Sequence, residues 1–463
     1  MSSVMQRAHV IWWKDLDRWV VPAQLHDTKL PDNWQLAKVG DLVKQVTDKV
    51  KVVPDKEYKL AGVRLYGNGM FHRETVKGSD SSAIHLIPLI PGSFIYNRLF
   101  AWKATFAVVP EDLGDCYVSN EFPQFRIDDK RILPYFLFLF CMSSKTISAV
   151  NRASVGSSAV SRNRFKEEAF LNFNIPLPPL FVQQAIVDRW EQAQAEIAAA
   201  KAQAETQERA ISQYIYTALG APSPIDNGPP PKCLVLPWED LERWSFNYLS
   251  RSLHGLLGFH KAAYPIVPLS ECLENTTNGY CIKPVAGPTP HKMLKLNALA
   301  PSGLDLSKSK YITVPDNIAR RFSLRKDDLL ICRSVGSYDQ VAKCALVEED
   351  CPDTLFPDII IRARLKSSVL PHFVREVLQT PLGRSHFLSN ARTAVGMWKI
   401  GSEDIRSFPL PLPPLDVQQE IVQQVTGIRA EIARTRVAAE RQARESKAEI
   451  EAMILGTKKI NIP

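Results

Sequence analysis

Arg, Lys, Asn, Gln and Ser on loops are the side chains best able to hydrogen-bond to phosphates and to the edges of bases. They are densest at Asn151 to Arg164, where Arg, Asn and Ser surround a single Gly. Arg152, Ser157, Ser158, Arg162, Asn163 and Arg164 are the candidates for such contacts. A second stretch, Asn390 to Lys399, offers Arg392, Thr393, Trp398 and Lys399, with Met397 and Trp398 in place of serines. Smaller groups are Tyr66 and Asn68 with His72 and Arg73, Asn97 with Arg98, Arg333 with Ser334, and Tyr338, Gln340 and Lys343. A charged stretch can equally be a solvated loop and a short polar run a surface turn, so position in the fold must decide.

Other chemistries have less support. Pro54-Asp55-Lys56-Glu57-Tyr58-Lys59 holds the letters of a metal-dependent nuclease site, Pro-Asp followed by Glu-x-Lys. One residue between Asp55 and Glu57 cannot close a metal cage of the usual two-strand kind, and a charged turn is the plainer account. The eight cysteines include no C-x-x-C pair and no His at ligand spacing, which disfavours a zinc site or a disulfide framework and reads as reduced thiols. The nine histidines form no Ser/His/Asp or Cys/His grouping, and no Gly-rich loop ends in Gly-Lys-Ser/Thr. Trp12, Trp13, Trp19, Trp238 and Trp244 read as core or docking residues ahead of base-stacking ones.

The elements that carry these loops come in two sets. Up to about Pro179, short apolar runs at Tyr58 to Leu65, Ile84 to Ile90, Ser93 to Leu99 and Thr105 to Val109 are bounded by turn residues and predict strands. A helical block follows from Pro134 to about Val150, so the domain reads as α+β. From Cys233 to Pro414 the plan returns. Trp13-Lys-Asp-Leu-Asp-Arg-Trp19 matches Trp238-Glu-Asp-Leu-Glu-Arg-Trp244, Leu133-Pro-Tyr-Phe136 matches Leu370-Pro-His-Phe373, and Ser154-Val-Gly156 matches Ala394-Val-Gly396. Each match is weak alone, but all keep one order at nearly one displacement. The chain is therefore a tandem duplication whose domain interiors have diverged.

Each copy ends in the same stretch, Ile-Pro-Leu-Pro-Pro-Leu at 175 and Leu-Pro-Leu-Pro-Pro-Leu at 410, displaced by 235 residues. Proline fixes φ and supplies no N–H, so the run stays extended until a helix can begin at Leu180 and Leu415. Apolar residues then recur in alternating steps of four and three: Ile186, Trp190, Ala193, Ile197, Ala200, Ala204, Gln207, Ile211, Tyr214 and Ala218 in the first copy. The second gives Ile421, Val425, Ile428, Ile432 and so on to Met453, with Gln442 matching Gln207. That spacing predicts a coiled-coil seam of about five heptads, with the matched glutamines as register-fixing positions and Trp190 packed on the partner helix or a docked subunit. The alternative is an amphipathic helix packed on its own domain. The expected organisation is a first domain at 1–179, a helix at 180–220, a Pro/Gly-rich linker at 221–232, a second domain at 233–414 and a helix at 415–463.

With 463 residues, 45% of them hydrophobic, the chain can bury two or more cores. A net charge of +8 permits a polyanionic partner without requiring one. Ile132 to Met142, the longest apolar run, is too short to span a bilayer, and Met1 to Val20 lacks a signal peptide's apolar stretch, so an intracellular location is expected.

The Pro-Leu-Pro-Pro-Leu-x-x-Gln-Gln-x-Ile-Val opening of a long helix, present twice behind two diverged α+β domains, resembles the specificity subunit of type I restriction-modification enzymes. The resemblance covers essentially the whole chain. It implies that each domain is a target recognition domain reading one half of a bipartite sequence in double-stranded DNA, with the helices packed antiparallel as a spacer. It implies two modification (methyltransferase) subunits as partners, with restriction subunits joining where a system has them, in the cytoplasm. It also implies no catalytic site and no cofactor on this chain: S-adenosylmethionine would sit on the partner that methylates adenine, and ATP and Mg on a restriction subunit. The chain accordingly lacks the Asn/Asp-Pro-Pro-Tyr/Phe tetrapeptide that adenine methyltransferases share. A helix of about 57 Å would act as a ruler fixing the gap between two half-sites read in opposite orientations. Two other readings remain: a non-catalytic protein-interaction scaffold, and a self-contained restriction enzyme, which the missing motifs disfavour.

Overall fold

The computed structural model describes residues 30–154, 164–221, 259, 262–300, 303–394 and 396–460. The Trp12, Trp13, Trp19, Trp238 and Trp244 positions and nearly all of the 221–232 segment lie outside the described residues. The chain divides into two compact units, Met1–Ala199 with Ala439–Pro463, and Ala200–Ala438. Each therefore holds a globular α+β part together with portions of both long helices.

Both globular parts are built on one frame. In the first unit a four-stranded antiparallel sheet runs in the order Val43–Gln45, Gln124–Ile127, Phe94–Tyr96, Phe106–Val108. In the second, Leu273–Asn278, Ile360–Leu365, Leu329–Cys332 and Cys344–Leu346 take the same places. Two helices follow in each, Pro134–Met142 with Ser144–Ala153 and Pro371–Gln379 with Pro381–Asn390. A short helix comes next, Glu167–Leu171 or Ser402–Arg406. The strand before each long helix, Asn174–Leu177 or Pro409–Pro411, pairs antiparallel with the first described strand of its own domain, Gln35–Lys38 or Ile266–Pro268. The α+β tandem duplication read from the sequence is the fold observed.

The strand runs expected at 58–65, 84–90, 93–99 and 105–109 appear as Glu57–Val63, His85–Pro88, Phe94–Tyr96 and Phe106–Val108. The expected single helical block is two helices broken at Ser143. Ser143 turns extended and its hydroxyl accepts from the Thr146 N–H, capping the second helix as Thr380 caps the matching one through the Gly383 N–H. Between frame strands the domains differ. The first inserts a five-stranded sheet, including the long hairpin Glu57–Val63 and Met70–Lys77. The second inserts a three-stranded sheet, Ser309–Ile312, His291–Leu294 and Thr354–Leu355.

The long helices run Leu180–Ala218 and Leu415–Ile454. Every seam position from Ile186 to Ala218 and from Ile421 to Met453 is buried or half-buried, as the four-three spacing requires. Within the first unit Arg189 pairs with Glu449 at 2.9 Å and Gln442 donates to Glu196, so rising numbers meet falling ones and the helices are antiparallel. In the second unit Glu208 meets Arg436 at 2.8 Å, and Ala204 and Ile211 share a core with Ile421, Val425 and Ile432, against which Ile428 packs. Gln442 thus has a partner across the seam, whereas the buried Oε1 of Gln207 has none among the described residues. Trp190 packs against the first unit's core cluster, which includes Ile450, Met453 and Ile454 of the partner helix. It stacks on Tyr135 and meets Phe138 edge-on, at ring distances of 5.6 and 5.9 Å, because the first-domain helix Pro134–Met142 lies against it. The matched joint in the second unit is ionic: Glu376, buried, takes a bidentate contact from Arg429 at 2.6 and 3.0 Å. No helix among the described residues is long and apolar enough to cross a membrane.

Each domain is fastened to its long helix by the first glutamine of the repeated motif. Gln183 is fully buried, and its Oε1 accepts from the Leu133 N–H at 2.8 Å. Its Nε2 donates to the Pro178 carbonyl at 2.8 Å and the Arg131 carbonyl at 2.9 Å. Gln418, 1% exposed, repeats this with the Leu370 N–H and the Pro413 carbonyl, both at 2.8 Å. The reason is local. An extended proline run leaves carbonyls without ladder partners, and the start of the helix after Leu133 or Leu370 leaves an N–H unpaired; one side-chain amide satisfies both. Gln183→Leu and Gln418→Leu should each lower the stability of their own unit by roughly 2–4 kcal/mol, since buried donors and acceptors lose their partners. Urea unfolding checks the magnitude, and faster amide exchange at Leu133 or Leu370 respectively checks the place.

Candidate nucleic-acid interface

In the second domain the structure brings together candidates that lie far apart in sequence. Ser334–Val335, Met397–Lys399 and Arg392–Ala394 form a three-stranded antiparallel sheet with the 397–399 strand at its centre. The register sets Ser334 and Arg392 on either side of Lys399, and Val335 and Thr393 on either side of Trp398. Arg392, Thr393 and Lys399 are exposed, and Trp398 is half-buried. Tyr338 adds its ring edge-on to Trp398 at 4.7 Å, and its hydroxyl donates to the Leu388 carbonyl at 2.7 Å.

The segment that carries Tyr338 and Gln340 is held from behind. Arg384 on the helix Pro381–Asn390 donates to the Asp339 carbonyl at 2.6 Å and to the Val341 carbonyl. Burial lowers the pKa of Arg384, and its guanidinium fixes two loop carbonyls. Gln340 donates to Asp339 at 2.6 Å, and Lys343 is half-buried beside a cavity of about 230 Å³ lined by Leu296, Leu299, Cys332 and Val335. Burial pushes the Cys332 thiol up to about 11, so it stays protonated near neutrality and serves as an apolar wall. Arg333 donates to the Asp358 carbonyl at 3.4 Å. Ser334, in the edge strand of this sheet, is only 7% exposed, which takes it away from any ligand on the surface and corrects its place among the outward-facing candidates.

The first domain shows part of the matching arrangement. Ser157, Ser158, Arg162 and Asn163 lie outside the described residues. Arg152 is exposed at the end of its helix, and Arg164 is exposed but paired with Glu121 at 2.6 Å. The Phe165 N–H donates to the Arg98 carbonyl as the Ile400 N–H does to Arg333, so both loops close on the same frame position. Arg98 is a second correction. Its guanidinium forms an ion pair with Glu167 at the start of a short helix and is mostly covered, which makes it a structural cation. Asn97 is turned inward in another way, its side chain accepting from the Leu99 N–H.

Asn68 and Arg73 sit on the long hairpin. The Asn68 side chain donates to the Leu65 carbonyl and so shapes the hairpin tip, while Arg73 is exposed beside Glu74. That tip is tied to the loop after Arg98 by a hydrogen bond from the Gly67 N–H to the Ala104 carbonyl at 2.8 Å. Sequence reasoning passed over Arg384 and Lys103. Arg384 sits mid-helix where no periodicity marks it; Lys103 lies between Trp102 and Ala104 in a run that reads as apolar. The letters of a nuclease site fall on a turn and the following strand, where Lys59 pairs with Asp115 at 2.5 Å and Lys56 lies over the rings of Tyr58 and Tyr117.

Two different surfaces on one repeated frame, each rich in Arg, Lys and aromatic groups, invite comparison with known proteins. Residues 31–206 match the type I restriction modification DNA specificity domain. Over 298 residues the chain is 26% identical to the type I restriction enzyme EcoKI specificity subunit of Escherichia coli (strain K12). It is 23% identical over 298 residues to the StySPI specificity subunit of Salmonella potsdam. The chain is similar to the specificity subunits of type I restriction enzymes.

The two curated relatives are aligned over 64% of this chain and over 59% and 58% of their own lengths. A chain from a solved structure described as showing complex assembly and conformational transition of the type I R-M system shares its fold, with a TM-score of 0.54 at 17% identity. That match covers 93% of this chain and 100% of the other.

The support behind the second-domain surface can be removed selectively. Arg384→Met should lower the opening free energy of residues 338–343 by about 1–3 kcal/mol, because two carbonyls lose their donor. Amide exchange should then speed up at Val341 and Lys343, whose N–H groups bond within this loop, and stay unchanged in the four-stranded sheet.

Proposed function

We propose that this chain is the sequence-specific DNA-binding subunit of a type I restriction-modification assembly. On this reading residues 1–179 and 233–414 are target recognition domains, each reading one half of a bipartite double-stranded target, and the long helices hold the halves at a fixed gap. The observation that carries it is the repeated frame with two unlike surfaces, each clamped by a buried glutamine to a helix of about forty residues. A duplication that conserves the frame and varies the faces is what two different half-sites demand. Exposed Arg392, Thr393 and Lys399 around Trp398 supply phosphate and base-edge donors in the second domain. Arg152 and Arg73 supply cations in the first, along with the arginine-rich stretch that ends at Arg164.

The chain itself would carry no catalytic group. Two modification subunits that use S-adenosylmethionine would dock on it and methylate adenine, with the target base turned out of the duplex while this subunit holds the flanks. Restriction subunits driven by ATP would join where the system has them, and the assembly would work in the cytoplasm. Sequencing of methylated positions in DNA from cells carrying the chain and its modification partner tests this directly. The expected result is one motif of two short blocks in opposite orientations, separated by an unread gap of constant length. Inserting one heptad in the middle of each long helix adds two turns, about 10 Å, and should lengthen the gap by about three base pairs at 3.4 Å each. A motif without a gap, or a gap indifferent to the insertion, contradicts the proposal.

A further inference from the structure

The tip of the first domain's long hairpin carries a feature that hydrogen-bonded reading does not account for. Tyr66 is 65% exposed and adopts φ +61°, a left-handed conformation that disfavours any residue with a Cβ. Gly67 and Gly69 follow it at φ +69° and +76°, so the turn is built where glycine is freely used, yet position 66 holds a large aromatic ring. The turn is rigid. The Arg64 N–H donates to the Gly69 carbonyl at 2.9 Å, the Gly67 N–H to the Ala104 carbonyl, and the Asn68 side chain to the Leu65 carbonyl. Gly67 also lies so close to Met142 that an added Cβ would come within 2.8 Å of its sulfur. A strained backbone held this firmly, with a ring projecting into solvent, marks a position kept for contact.

The neighbouring loop has a similar character. Phe100 is 36% exposed, and the Lys103 ammonium lies 4.8 Å from the Trp102 ring and 5.9 Å from the Phe100 ring. Arg64 lies over Phe71 at 4.7 Å. Neither Lys103 nor Arg64 has a carboxylate within ion-pair distance among the described residues. Arg64 also donates to the Met70 carbonyl at 2.7 Å, which leaves its charge without an acidic partner; aromatic faces interleaved with such cations suit stacked bases between phosphates.

We propose that Tyr66, with Leu65 beside it, is a stacking wedge that enters a base step of the half-site read by the first domain. Arg64 and Lys103 take the flanking phosphates. This rests on the DNA-reading function above and adds a mode of recognition: the first domain selects a step that opens easily, such as a pyrimidine–purine step, and kinks it. The second domain has no exposed ring in a left-handed turn among its described residues, so the two halves read by different means.

The test uses the full chain assembled with its modification subunits, and target duplexes in which 2-aminopurine replaces one base at a time across the first domain's half-site. Besides the adenine turned out for methylation, wild type should raise the fluorescence at one further step on binding. Tyr66→Phe should keep that signal. Tyr66→Asn, which suits the left-handed turn and so leaves the melting temperature unchanged or higher, should abolish it and weaken target binding at least about fivefold. If wild type prefers its target to random duplex but no position besides that adenine brightens, or Tyr66→Asn binds and brightens the further step like wild type, the wedge is wrong while the DNA-reading function stands. If wild type shows no preference for the target, the DNA-reading function fails and the wedge with it.

Discussion

Gln183 and Gln418 do in miniature what the whole chain needs done twice. Each is buried at the start of a forty-residue helix and bonds at once to the proline run that precedes it and to the first N–H of a domain helix. A side chain that donates and accepts inside a dry joint can be satisfied in only one geometry, because losing either bond strands a buried polar group. The amide therefore fixes the angle at which a globular domain leaves its helix. Around it the two joints are otherwise unalike. Trp190 packs against Tyr135 and Phe138 in the first unit, and Arg429 grips Glu376 in the second. Apolar stacking and a buried ion pair are different solutions to the same covering problem, and the glutamine is the part that did not change.

That contrast separates what the sequence alone makes legible from what it hides. The duplication, the helix starts and the seam are legible because each is a local pattern repeated at one displacement: Pro-Leu-Pro-Pro at 176–179 and 411–414, then four-three spacing from Ile186 and Ile421. The glutamines were visible as letters of that motif, but their role depends on Leu133 and Leu370, some fifty residues upstream, and no local rule reports that contact. The break at Ser143 was missed because Pro134 to Met142 is apolar without interruption and hides a cap that reads as an ordinary serine.

The surfaces were legible only as a pool of residue types. Arg333 to Lys343 and Arg392 to Lys399 were picked separately on composition, and it took strand pairing to join them around Trp398. The same pairing buries Ser334, and a distant acid, Glu167, holds Arg98. Polarity marks what could face a ligand, whereas long-range partners decide what does. Tyr66 shows the converse: a tyrosine beside two glycines reads as a turn, and only its positive φ and exposure single it out.

If the glutamine joint is what converts helix length into a fixed separation of two readers, loosening it must blur that separation before it abolishes recognition. The direct measurement is the set of methylated sites made in cells by the assembled enzyme carrying both Gln183→Leu and Gln418→Leu. The account predicts the same two blocks as wild type, now with gaps one base pair shorter and longer methylated alongside the original. A single unchanged gap, with only the total level of methylation reduced, would contradict it.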